Sequence, residues 1–184
     1  MDAISLMVDE HKYIKRMLVV VRRVCFRILQ GEDISYDDFS KIIDFVRNYA
    51  DNHHHGKEEK ILFNRMVSEI GGVADKLVNQ GMLVEHDLGR LHMRELELAL
   101  DRVKAGDEES KLDVIANAIS YTHLLTRHIE KEDNTVYTFA QRKLSKESLE
   151  QINKECEDFE NKAIEDEVSK LYIHILESLE AKYL

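Results

Sequence analysis

The stretch His53-His54-His55-Gly56-Lys57-Glu58-Glu59-Lys60-Ile61-Leu62-Phe63 decides how this 184-residue chain is read, because a shortened version of it returns at His128-Ile129-Glu130-Lys131-Glu132-Asp133, followed by Val136-Tyr137. His54 with Glu58, and His128 with Glu132, stand four residues apart. On a helix that spacing puts an imidazole and a carboxylate on one face, one turn from each other. Glu10-His11 lies 43 residues before His54, and Glu85-His86 lies 42 before His128, so the pattern reads as two helical hairpins of one design.

Apolar residues recur at three-and-four spacing along most of the chain, and the breaks fall at glycine and polar clusters. The periodicity predicts helices over about Asp2 to Gln30, Ser35 to Ile70, Val73 to Ala105 and Glu109 to Arg142. Ser35 is read as an N-cap, with Asp38 three residues on in a capping-box-like pair. The chain has no proline where average usage of about 5% would give roughly nine, which favours long unbroken helices over a turn-rich β fold. Short connections make neighbours antiparallel, so the expected fold is all-α, an up-down-up-down four-helix bundle over residues 1–143. Residues 144–184 form a helical extension, opening at Ser145 and bending near Asn161 to Ile164. It packs on the bundle or makes a homodimer contact.

With those boundaries His11 and His86 each lie 19 residues before a turn, and His54 and His128 each lie 19 after one. All four then share one layer. His11 has Ile4, Met7, Ile14 and Leu18 on its face, and His128 has Val114, Tyr121, Leu124 and Leu125, so both point into the core. His86 shares its face with Met82, Leu83 and Met93, interrupted by Asp75, Asn79 and Glu97. Of the three consecutive histidines only one fits squarely inward at 100° per residue. His54 with Glu58 is preferred, and His55 with Glu59 is the competing pair.

Buried imidazoles and carboxylates without partners are costly, which makes a metal ion the expected occupant of the layer. Mixed nitrogen and oxygen donors with open positions suit iron or manganese, and two carboxylates able to bridge suggest a pair of ions. Ferritin-like proteins use Glu-x-x-His, and no histidine here has a glutamate three residues before it. No His-Glu-x-x-His zinc motif occurs either.

These residues resemble the hemerythrin family, in the branch of HHE cation-binding proteins, over about residues 2–142. The resemblance implies a non-haem di-iron centre with His11, His54, His86 and His128 as ligands and Glu58 and Glu132 as bridging carboxylates. The oxygen carriers of the family have a further histidine four residues after the one on the third helix, where this chain has Arg90. They also pair the fourth-helix histidine with an aspartate, where the reading here takes Glu132. Those departures place the chain nearer the four-histidine, two-glutamate proteins associated with iron handling, nitric oxide response and repair of iron centres, and away from simple reversible oxygen carriage. The first expectation is a di-iron protein that binds or responds to oxygen, nitric oxide or peroxide. The alternatives are an iron store or donor for repair of iron centres, a di-iron oxidoreductase, and a metal-free interaction module.

Other residues are given lesser roles. Glu10 and Glu85 either orient a neighbouring histidine or lie in solvent, Tyr121 packs in the core, and Gly89 allows close helix packing or leaves room beside the metals. His92, His123 and His174 are surface or boundary residues. Cys25 and Cys156 are reduced thiols. The net charge of -10 is the wrong sign for nucleic acid or an anionic membrane surface. Met1 to Glu10 lack a basic-then-apolar leader, so the expected compartment is the cytoplasm.

Overall fold

A computed structural model of the chain describes residues 1–165 and 167–184. They form α1 (Ala3–Leu29), α2 (Tyr36–Phe45), α3 (Asn64–Ile70), α4 (Gly72–Leu77), α5 (Leu83–Lys104), α6 (Lys111–Lys131), α7 (Tyr137–Lys143), α8 (Lys146–Glu165) and α9 (Val168–Tyr183). No strand occurs among the described residues. Several of these helices are joined without a turn by wider π-helical stretches at Val46–His55, Glu58–Phe63, Val78–Met82 and Glu132–Val136. Gly31 and Gly106, both at positive φ, end the first and third long runs where a left-handed residue is needed.

Side-chain links between neighbouring runs show opposed directions. Arg47 reaches Glu97, Arg90 reaches Asp51 and His86 reaches Glu59, so the numbers rise on one helix as they fall on the next. Arg102 with Asp113, and His128 with Glu85, show the same reversal between α5 and α6. The arrangement is consistent with a helical bundle. Its interior holds two apolar clusters, one around Met17, Phe39, Leu96 and Ala118, the other around Met7, Leu62, Met66 and Ala140. The layer containing His11, His54, His86 and His128 lies between them.

Ser35 stands at the start of α2 with an extended backbone but makes no capping hydrogen bond. Asp38 is engaged elsewhere, accepting from Lys182 and Tyr183 at the end of α9. That helix buries Leu176, Leu179 and Tyr183 in the cluster formed by α1 and α2. The interruption between α8 and α9 falls just after the expected bend, and Glu167 there takes a left-handed conformation at φ 54°.

Candidate metal centre

Histidines from four helical runs meet at mid-height of the molecule. His11 and Glu132 have Nε2 and Oε2 3.4 Å apart, and His128 Nε2 lies 3.0 Å from Glu132 Oε1, so one carboxylate faces both sides of the cluster. Glu58 does likewise, with Oε2 3.7 Å from His54 Nε2 and 3.6 Å from His86 Nε2. Two groups result, each with donor atoms within 4.8 Å of one another: His11, His54, Glu58 and Glu132, and His55, Glu58, His86 and His128. Every member is buried.

The structure brings both His54 and His55 inward, although an α-helical wheel admits only one. The reason is local winding. Residues 46–55 are π-helical, and i→i+5 winding turns successive side chains through a smaller angle, so adjacent imidazoles both face the cluster. The competing pair is divided: His55 is inside, stacked on His86 with ring centroids 3.8 Å apart, while Glu59 is outside.

Each inward imidazole has its outer nitrogen on a carboxylate. His11 Nδ1 donates to Asp133 at 2.7 Å, His54 Nδ1 to Glu10 at 2.8 Å, His55 Nδ1 to Asp51 at 3.2 Å, His86 Nδ1 to Glu59 at 2.7 Å and His128 Nδ1 to Glu85 at 2.9 Å. Such partners fix the tautomer and the ring plane. With the Nδ1 protons committed, every neutral imidazole presents a bare Nε2 lone pair to the interior. Those of His86 and His128 lie only 3.0 Å apart. His11 Nε2, His54 Nε2, Glu58 Oε2 and both Glu132 oxygens are buried without any hydrogen-bond partner. Unpaired acceptors converging in a dry space are unfavourable unless a cation lies among them, so the donor set fits a metal centre.

The electrostatics agree. Burial, then the adjacent Glu132 carboxylate, pushes the Glu58 carboxyl well above its ordinary range. Burial opposes ionisation of Glu132, but the imidazole of His128, and those of His11 and His86 beside it, hold the carboxyl well below its ordinary range. His54 is lowered to about 4 by burial and by His11, whereas Glu132 and Glu85 outweigh burial and raise His128 to about 9.

Several contributors are not distinguished by spacing alone. Tyr137 donates to Glu58 Oε1 at 2.6 Å and its ring stacks on His11. The only signal for it is its place in the repeat, opposite Phe63. Asp133 stands five residues after His128, where an aspartate could have been a ligand, yet it serves the outer nitrogen of His11. Glu10 and Glu85 orient His54 and His128 rather than lying free in solvent. Tyr121 is buried, His92 is half-buried against Asn117, and His123 and His174 are exposed. Both cysteines are free and buried, with burial pushing the Cys25 thiol up to about 11 and the Cys156 thiol to about 12.

A cavity of about 100 Å³ opens beside His55 and His86, lined also by Gly89, Met93 and Tyr121. Gly89 lines the cavity, and a Cβ there would meet Tyr121 and Leu125 at 3.5 Å, an ordinary van der Waals contact, so the helix packing does not itself demand glycine at this position. Arg90 sits at the rim, held by Asp51 at 2.7 Å and Glu59 at 2.6 Å, the acids that also hold His55 and His86.

The hemerythrin HHE cation-binding domain matches residues 2–140. The chain belongs to that family, and its buried clusters of histidine and glutamate are the groups that could hold the cations. No match is found among curated proteins or among solved structures. Among the described residues no helix is long and apolar enough to cross a membrane.

Proposed function

We propose that this chain is a non-haem di-iron protein, built as an up-down-up-down four-helix bundle, that binds or responds to oxygen, nitric oxide or peroxide. The observation that carries the reading is the convergence of bare Nε2 and carboxylate oxygens, each imidazole backed by an acid on its outer nitrogen. His11 and His54 would hold one ion, His55, His86 and His128 the other, with Glu58 and Glu132 bridging. His55 then supplies the imidazole that Arg90, in the place of the oxygen carriers' additional histidine, does not. Manganese satisfies the same donor set.

When bound, the two ions supply a redox-active centre with open positions for a small ligand. The chain's own residues set the access. The cavity of about 100 Å³ beside His55 and His86 offers room for a small ligand, and Val46, Met93, Gly89 and Tyr121 supply the apolar part of its lining. Arg90 bridges Asp51 and Glu59 at the mouth, keeping both acids on their imidazoles. Tyr137 holds a hydrogen on Glu58 Oε1 and leaves Oε2 free to face inward. Complete burial of the donors favours a retained centre over an iron store that must release its metal.

Anaerobic loading with ferrous iron should give two irons per chain, and a ratio well below two would refute the reading. Adding oxygen and then removing it separates the two behaviours. Spectral recovery means reversible binding, and permanent oxidation means a sensor or an oxidoreductase.

A further inference from the structure

Lys57 has no part in the reading above, yet it is completely buried, which lysine almost never is unless paired. Its Nζ donates to Glu10 Oε1 and to Glu160 Oε1 and lies 3.1 Å from His53 Nε2. The Phe159 ring covers the ammonium, with its centroid 5.6 Å away. Glu10, His53 and Glu160 are spaced like a third cation cluster, and the Lys57 ammonium is the cation within it. Phe159 and Glu160 belong to α8, outside residues 2–140, the stretch matched by the family.

The two oxygens of Glu10 are divided between this cluster and the metal centre. Oε1 receives Lys57 and His53, and Oε2 receives only His54 Nδ1 at 2.8 Å. The division depends on a cation held on the Oε1 side. Lys57 is kept there by a second carboxylate, because α8 lays Glu160 against it. Without Glu160 the ammonium is bound to Glu10 alone, draws more of that carboxylate's charge and weakens it as acceptor for His54. Without Lys57, Glu10 loses its anchor and can turn away from the imidazole.

Resting on the di-iron reading, we propose that Lys57 and Glu160 are positioning residues for the ion held by His11 and His54, so that α8 is a working part of the metal centre. Loss of an outer partner of a metal-bound histidine typically lowers affinity about 10- to 100-fold. A residue one step further out should act at the lower end of that range, and on one ion of the two. The His55, His86 and His128 side has its own partners in Asp51, Glu59 and Glu85 and does not touch this network.

The test is an anaerobic titration of the full metal-free chain with cobalt(II), followed by calorimetry and by the visible ligand-field bands, for the parent, Glu160→Gln and Lys57→Met. The parent should take two equivalents. Glu160→Gln, a mild change at a partly exposed position, should weaken one equivalent by about tenfold and alter its bands, with the other unchanged. In a His11→Ala background the single remaining equivalent should be indifferent to Glu160→Gln. Unchanged affinities, or equal weakening of both equivalents, would overturn the assignment while leaving the di-iron reading intact. A parent taking fewer than two equivalents would overturn both. If Lys57→Met fails to fold, Glu160→Gln alone decides.

Discussion

Replacing Glu58 by alanine tests the two-ion reading most severely, since Glu58 belongs to both donor groups whereas His11 belongs to one. Each ion, supplied at about one hundred times its dissociation constant, should stabilise the fold by ~2.7 kcal/mol, or ~5 kcal/mol for the pair. For a chain of this length, at about 2–4 °C per kcal/mol, the parent should gain ~10–20 °C in thermal midpoint on loading. His11→Ala should keep about half of that gain and about one equivalent of metal. Glu58→Ala should lose nearly all of it. In the metal-free state the substitution has opposing effects. It leaves the buried Tyr137 hydroxyl without its acceptor, a cost of ~1–3 kcal/mol, and it removes an acid crowded against Glu132. The metal-free midpoint should therefore move far less than the loading shift. The assay is thermal denaturation of each variant with and without ferrous or manganous ion, alongside metal analysis. A Glu58→Ala protein that still takes two equivalents and shows the full parental shift would refute the shared-ligand geometry.

Further outcomes follow from neighbouring features. His54→Ala and His55→Ala should each cost about one of the two equivalents, because π-helical winding turns both imidazoles inward; a loss confined to one variant would mean that only that histidine binds. Gly89→Leu should fill the cavity and slow the entry of azide into the loaded protein without changing its metal content, and unaltered entry would show that ligands arrive by another route. Leu176→Ala should destabilise the protein by ~2–5 kcal/mol in chemical denaturation, as α9 shares the core of the bundle; a cost near zero would make the extension dispensable. At Asp38, burial is opposed by hydrogen bonds from Lys182 and Tyr183, which hold the folded carboxyl at about 2 against an ordinary 3.8. A depressed folded value contributes stability above about pH 4 that is lost as pH falls towards 2. The stability difference between the parent and Asp38→Asn should accordingly shrink across that window, and a difference independent of pH would rule out Asp38 as the source.

Helical period, glycine breaks and the absence of proline carry nearly all of the secondary structure, and the helix limits fall within two or three residues of those read from spacing. The layer of His11, His54, His86 and His128 is legible for the same reason, since equal distances from two turns place residues at one height in antiparallel helices. What the periodicity could not contain is the winding itself. A wheel assumes 100° per residue, and the π-helical stretch at Val46–His55 breaks that assumption where three histidines follow one another. His55 accordingly reads as a competitor to His54, and packing makes it a neighbour.

The same limit applies to the acids. Glu10, Asp51, Glu59, Glu85 and Asp133 look alike in a chain so rich in charge, and only the approach of one helix to another pairs each with a particular imidazole. Nothing in the spacing marks Lys57, which is buried because α8 closes over it with Phe159 and Glu160. The sequence by itself determined the helices, the repeat and the level at which imidazole and carboxylate gather, because those depend on spacing along one axis. The tertiary structure alone decided which nitrogen faces inward, which acid stands behind it and which charges are buried. Those outcomes depend on rotation about the helix axes and on contacts between residues as distant as Glu10 and Glu160.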